Sequence, residues 1–488
     1  MNFNDYRSYD ALGLAALVAK GEVTANELLE TALDRLGEAN PKVNAIAKLA
    51  ITPAKAAIEQ GLSDGPFKGV PFLLKDLGGA ARDYPSHFGS RLFIDTRHDH
   101  DSELVRRLMR SGLVIFGRTT SPELGMGPVT EAKVYGGPTR NPWNLDHTAG
   151  GSSGGAAAAV AAGILPAAHG SDGGGSVRIP ASSSGLFGLK PTRARMPTGP
   201  KMGEGWAGMA VDGFLTRSVR DSAALLDATA GPDAGAPYWP PPLKGSFAEA
   251  LSNPPARQKI AFSTKNFEGG PLHPACKIAV EQAASLLESL GHEIEEATPS
   301  IDLMPLMQAW TRIVACGANL VIQQKLASRG QPLNPSEVEG ITLGALELAK
   351  TVSGTDYLDA VNRVHAFSRI LASFFQDYDM LLTPTLAEPP ANIGRFAPDS
   401  EDFLDHRLGP NGILPYSPYT PIFNASGQPA MSLPLHWTED GLPIGVHIAG
   451  RFGEDETLIA LAAELETAAP WFNRIPPIAP PHVDRNDA

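Results

Sequence analysis

Apolar residues in the first sixty positions fall three to four apart, which predicts that residues 5–60 are largely helical. A start signal stands inside this stretch. In Val23-Thr24-Ala25-Asn26-Glu27-Leu28, Thr24 can cap, Glu27 can close a capping box, and Val23 can staple onto Leu28. Packing is the expected role of the whole segment. Residues 69–74 are instead an unbroken apolar run, read as a buried strand with Lys75 at its C-terminal end. A helix over 102–111 and a strand over 113–116 follow, and this β–α–β alternation predicts a largely parallel sheet covered on both faces. Ligand sites in such sheets form at the carboxyl ends of strands. Small residues at 156–162 predict a helix lying close to the sheet, and 164–168 a return strand. Further helices are expected at 218–230, 274–290, 302–375 and 455–468, and strands at 259–263, 292–296, 379–384, 428–435 and 442–449. Residues 231–256, rich in Pro, Ala and Gly, read as a long surface connection and a candidate sub-domain boundary. Residues 386–415 lack periodicity and read as a lid or gate near a pocket. No internal repeat is present.

Composition acts mainly by exclusion. The chain has 488 residues, 43% of them hydrophobic, which is ample for a large core. Its net charge of −13 makes nucleic acid and anionic membrane surfaces poor partners. Cys276 and Cys316 are the only cysteines, so no disulfide framework or Cys-based zinc site is expected, and no metal or cofactor. Met1-Asn2-Phe3-Asn4-Asp5 lacks the apolar core of a secretion signal, and the most apolar window, 156–168, is broken by Gly163 and Pro166. These features predict a cytoplasmic protein that does not span a membrane.

Two glycine-hedged serine loops carry the chemistry. They are Gly150-Gly151-Ser152-Ser153-Gly154-Gly155 and Ser171-Asp172-Gly173-Gly174-Gly175-Ser176-Val177-Arg178-Ile179-Pro180. Serine needs a base to attack an amide, and a lysine whose charge is suppressed by burial can supply it. Glycines let backbone N–H groups approach a reacting oxygen. A plain linker is disfavoured by the apolar segments that flank both loops. A phosphate cradle is disfavoured because neither loop fits G-x-x-x-x-G-K-[ST]. A Ser-His-Asp α/β-hydrolase is a stronger rival, since Gly150-x-Ser152-x-Gly154 and Gly151-x-Ser153-x-Gly155 both satisfy G-x-S-x-G. It needs a downstream histidine, and His273, His292, His365, His406, His436 and His447 all lack a telling context. A strand-end lysine alone usually snorkels to solvent; beside two such loops, Lys75 is better read as a catalytic base.

The segment from Gly69 to Thr192 resembles the amidase signature family, with the paired serines of 150–155, the small-residue helix, Asp172 to Pro180, and Gly185-Leu186-Phe187-Gly188-Leu189-Lys190-Pro191-Thr192. Phe423-Asn424-Ala425-Ser426-Gly427-Gln428-Pro429-Ala430 and Gly441-Leu442-Pro443-Ile444-Gly445-Val446 resemble the C-terminal strands of that family. Within it, Gly65-Pro66-Phe67, Lys75-Asp76-Leu77, Asn141-Pro142-Trp143-Asn144 and Ser426-Gly427-Gln428-Pro429 are similar to nylon-oligomer hydrolases of the 6-aminohexanoate cyclic dimer type, related to aryl amidases and urethanases. The resemblance implies a three-layer α/β/α sandwich around a large mixed, mainly parallel twisted sheet. One domain would span 1–488, with its motif region at 65–230 and a smaller helical sub-domain at about 231–378.

The same resemblance implies the roles. Ser176 is the nucleophile, Ser152 the bridging residue after a cis peptide, and Lys75 the base. The N–H groups of Gly173, Gly174, Gly175 and Ser176 form the oxyanion hole. Asp172 and Arg178 brace the loop as an ion pair, and Ser153 supports the network. Gly173 replaces a larger residue common in relatives, which would loosen the loop or admit a bulkier acyl group, and Ser171 stands where threonine is common. Gly125 and Met126 are candidate substrate contacts. Cys316 is a candidate pocket residue, though a buried core cysteine is the plainer expectation. The implied substrate is a small, mostly apolar oligoamide, aryl amide or carbamate, and a homodimer is the candidate assembly. A glutaminase-type subunit of a tRNA-dependent amidotransferase stands as the alternative from another class.

Overall fold

Thirteen strands appear among residues 1–478, the part of the chain that the computed structural model describes. They are β1 (Ile46–Leu49), β2 (Pro71–Lys75), β3 (Val114–Thr119), β4 (Arg140–Asn141), β5 (Asn144–Thr148), β6 (Ala167–Asp172), β7 (Phe187–Lys190), β8 (Val211–Thr216), β9 (Lys259–Phe262), β10 (Glu293–Glu296), β11 (Met380–Pro384), β12 (Ala430–Trp437) and β13 (Pro443–Gly450). Eight form one sheet in the order β10-β9-β11-β13-β12-β7-β8-β6. Its β10–β9 and β9–β11 pairs are parallel. The β11–β13, β13–β12, β12–β7, β7–β8 and β8–β6 pairs are antiparallel. The mainly parallel sheet is therefore corrected to a mixed sheet with an antiparallel majority. Helical crossovers do produce parallel neighbours at β2–β3 and β9–β10. Elsewhere short returns reverse the chain, as at 438–442, where Thr438 N–H donates to the Leu442 carbonyl between β12 and β13.

A second sheet, β1-β3-β2, stands beside the first. The Lys75 N–H donates to His169 Nδ1 at 3.2 Å and so ties β2 to β6. Strand β1 interrupts the stretch expected to be helical. The helix Ala25–Val43 opens with the predicted capping box of Thr24 and Glu27, and ends at Asn44 in the left-handed region, φ 49°. The chain then pairs Ile46 with Thr119 antiparallel. Strand β6 begins three residues later than expected, which carries it to Asp172 at the lip of the glycine loop. The small-residue helix is Gly154–Ala161, buried throughout. A Cβ on Gly155 would collide with Thr120 N, so only glycine permits this approach.

Alternation along the strands builds a core on each face of the large sheet. Ile260, Met380, Leu382, Met431, Leu433, Val446 and Ile448 face one core. Ala261, Leu381, Ala430 and Ala449 face another, filled by the helices Leu303–Arg329, Gly340–Lys350 and Gly354–Asp377. The helical cluster thus starts at Leu303, because residues 259–262 and 293–296 belong to the sheet. Residues 386–415 include the helix Phe403–Leu408 and are tied down by Ile393 N–H to Asp146 O and by Gly394 N–H to Glu131. Among the described residues, no helix is long and apolar enough to cross a membrane.

Candidate active site

Strand β2 is buried along its whole length, so its last side chain, Lys75, enters the interior. Its Nζ lies 2.7 Å from Ser152 Oγ, 3.0 Å from Ser171 Oγ and 3.4 Å from Ser171 O. Burial drives the lysine pKa down to about 7, against the opposing pull of the Asp172 and Asp212 charges. The neutral amine is therefore accessible near neutral pH. The peptide between Gly151 and Ser152 is cis.

The two serine loops clasp each other. Ser153 N–H donates to the Ser176 carbonyl at 3.2 Å. Ser153 Oγ accepts from Ser171 N–H at 3.2 Å and donates to Ser171 O at 3.3 Å. Ser176 is half-buried, two residues before the helix Arg178–Ser184. Asp172 braces the turn. Its Oδ1 accepts from Gly175 N–H at 2.7 Å and its Oδ2 from Val177 N–H at 3.1 Å. Arg178 donates Nε and Nη2 to the same carboxylate at 3.0 and 2.9 Å. Burial alone would raise the Asp172 pKa, but the Arg178 charge and the hydrogen bonds from Arg178 and Asn424 outweigh it and hold the group well below the usual range.

The Gly175 N–H, expected in the oxyanion hole, is thus already committed to Asp172. Gly173, Gly174 and Ser176 carry no such hydrogen bond among the described residues. The space above the loop is filled from elsewhere. A Cβ on Gly173 would sit 2.6 Å from Trp206 Cζ3, and one on Gly174 would sit 2.9 Å from Trp310 Cζ2. The two indoles meet edge to face at 6.1 Å. The expectation that Gly173 admits a bulkier acyl group is therefore corrected: an indole takes that room. Thr420 Oγ1 donates to the Gly174 carbonyl at 2.7 Å.

Gly125 adopts φ +72°, and a Cβ there would meet Leu77 at 2.6 Å and Ser152 Oγ at 3.4 Å, so it lies against the bridging serine. Met126 is buried with Leu124 and Trp310 in the second core. Cys316 is half-exposed on the helix Leu303–Arg329 rather than a buried core residue, and its neighbour Gly317 packs under Trp206. Sequence reading missed Thr420, Asn424, Trp206 and Trp310, and saw Ser171 only as a departure. Asn424 was placed on a strand, whereas residues Pro421–Ser426 form a helix whose Asn424 Nδ2 donates to Asp172 O and Oδ1.

The histidines serve other partners. His447 Nε2 lies 3.0 Å from Arg178 Nη1, His292 pairs with Glu464, and His436 with Gln282. His273 caps the helix Pro274–Ser289, His406 lies against Phe396, and His365 is exposed. A cavity of about 730 Å³ lined by Lys244, Asp379 and Glu454 contains none of the candidate residues. Among the described residues no three His, Cys, Asp or Glu side chains converge as a metal site.

Known proteins resemble this chain over nearly its whole length. The profile of the Amidase family matches residues 27–459. The chain is 36% identical over 483 residues to the 6-aminohexanoate-cyclic-dimer hydrolase of Paenarthrobacter ureafaciens, covering 97% of each. The structure of a 6-aminohexanoate cyclic dimer hydrolase complexed with substrate superposes with a TM-score of 0.91 at 34% identity, covering 97% of this chain and 99% of that one. A bacterial aryl acylamidase of the amidase signature enzymes gives 0.85 at 28% identity, covering 97% and 99%.

Proposed function

The chain belongs to the amidase signature family of amide hydrolases, and on that premise we propose that it cleaves the C–N bond of a small, mostly apolar amide through a Lys75–Ser152–Ser176 relay. The observation that carries this reading is the buried Lys75 amine, lowered to about 7, at 2.7 Å from Ser152 Oγ. Lys75 takes the Ser152 proton as Ser152 takes that of Ser176. The Ser176 oxygen then bonds to the carbonyl carbon, and the carbonyl π electrons move onto its oxygen. The N–H groups of Gly173, Gly174 and Ser176 receive that oxyanion, each worth roughly 3 kcal/mol in the transition state. The tetrahedral intermediate collapses, the C–N bond breaks, and the protonated relay delivers its proton to the leaving nitrogen. Water, deprotonated by the same relay, hydrolyses the serine ester and restores the enzyme.

The names of its relatives support oligoamides and aryl amides as first substrates, with carbamates of the same shape as a chemical extension. A histidine-dependent mechanism would need a histidine at the serines, and the positions of the six candidates speak against it. The test is a panel of anilides, oligoamides and aryl carbamates with Ser176→Ala alongside. Turnover lost in the variant, and an acyl adduct on Ser176 by mass spectrometry in the parent, are expected. Activity retained by Ser176→Ala would overturn the reading.

A further inference from the structure

The helix Phe403–Leu408 carries a cation that this chemistry does not use. Arg407 is 4% exposed, and its guanidinium carbon lies 4.6 Å from the centroid of the Trp310 ring and 4.7 Å from that of Phe403. Among the described residues it has no hydrogen bond and no carboxylate partner, and its Nε is enclosed with no acceptor. Other buried arginines are answered. Arg118 donates to the carbonyls of Lys75, Gly78, Gly79 and Tyr84, Arg178 grips Asp172, and Arg195 grips Asp455. Burial lowers the Arg407 pKa only to about 9, so the group stays charged at neutral pH. A buried charge without a counter-charge is costly, and contact with aromatic faces offsets only part of that cost.

Its position says what the counter-charge is for. The indole beneath Arg407 is the one that covers the oxyanion loop at Gly174. That indole's own Nε1, on the edge adjoining Cζ2, is also enclosed with no acceptor. Two donors with nothing to donate to therefore meet at one ring, beside the loop that receives the reacting carbonyl. One guanidinium and one N–H suit a planar, singly charged group, as guanidinium–carboxylate geometry does. The chain is −13 overall, so its long-range field gives an anionic ligand no help and recognition must be local.

We infer that Arg407 is a specificity residue that binds a carboxylate carried by the substrate on a short apolar arm away from the scissile bond, with Trp310 Nε1 as second donor. The inference rests on the amide-hydrolase reading and narrows it to amides that bear a free acid. The probe is the mono-4-nitroanilide of adipic acid against its methyl ester. The parent enzyme should favour the acid by tenfold or more in kcat/KM, mostly through KM. In Arg407→Met this acid-to-ester ratio should collapse toward one, and Arg407→Lys should restore part of it. A parent enzyme indifferent to the acid, or a ratio unchanged in Arg407→Met, would overturn the assignment. A readout free of turnover guards against an unfolded variant or an inactive enzyme. The acid should raise the melting temperature of the Ser176→Ala protein and the ester should not, and equal effects would also overturn it. Loss of the hydrolase reading itself would show differently, as activity surviving in Ser176→Ala on the neutral ester.

Discussion

A lysine buried in the interior works against the fold that holds it. In the folded chain Lys75 titrates at about 7, whereas its ordinary value is 10.5. Between these values the unfolded chain binds the proton and the folded chain does not. The group therefore destabilises fully at and below about pH 7, and the deficit fades as pH rises toward 10.5. At about 1.4 kcal/mol per pH unit, the gap sets an upper bound of roughly 5 kcal/mol. Lys75→Met should be inactive yet melt higher than the parent at pH 7, with the difference shrinking by pH 10; thermal melts at the two pH values check this. Activity of the parent should climb through about pH 7 and level off above it as the amine loses its proton. On the proposed mechanism Gly173→Ala should lower kcat by about 100-fold, since the new methyl meets Trp206 and must tilt the glycine loop. At this scale the sequence was generous where parts lie close along the chain: the contact of Asp172 with Arg178 was legible in one short motif, and the approach of Lys75 to Ser152 in two. Trp206, Trp310, Thr420 and Asn424 were not, because only folding brings those distant segments over the loop.

Elements were legible in proportion to how local their cause is. Capped helices such as Ala25–Val43 announce themselves through Thr24 and Glu27. Strand β1 was hidden because the left-handed turn at Asn44 has no strong sequence signal, and strand direction was hidden because spacing states a loop's length and not its partner. The helix Pro421–Ser426 shows what such an unread element does. It carries Thr420 and Asn424 to the back of the glycine loop, where Asn424 Nδ2 also donates to the Met209 carbonyl at 3.0 Å and its Oδ1 accepts from Arg178. Asn424→Leu would leave these buried groups unanswered and should cost roughly 2–3 kcal/mol in urea unfolding. On the proposed mechanism the same change should depress kcat more than KM, because the loop it releases is the one assigned to the reacting oxygen.

Over the whole molecule, one sheet serves as the wall between two apolar interiors. Leu381 faces the helical cluster while its neighbours Met380 and Leu382 face the other side. Neither interior can open without exposing the strands of the other. Thermal unfolding followed by tryptophan fluorescence, with Trp206 and Trp310 in one interior and Trp437 and Trp471 against the other, should coincide with unfolding followed by far-UV circular dichroism; two separated transitions would contradict this coupling. The crowding above Gly173 and Gly174 has an evolutionary corollary. A lineage that keeps both of these indoles cannot enlarge Gly173 or Gly174, since a side chain there strikes an indole first. The route that spares both glycines runs through the lids themselves, by exchanging Trp206 or Trp310 for smaller rings, so a new substrate would be accommodated far along the chain from the paired-serine loop.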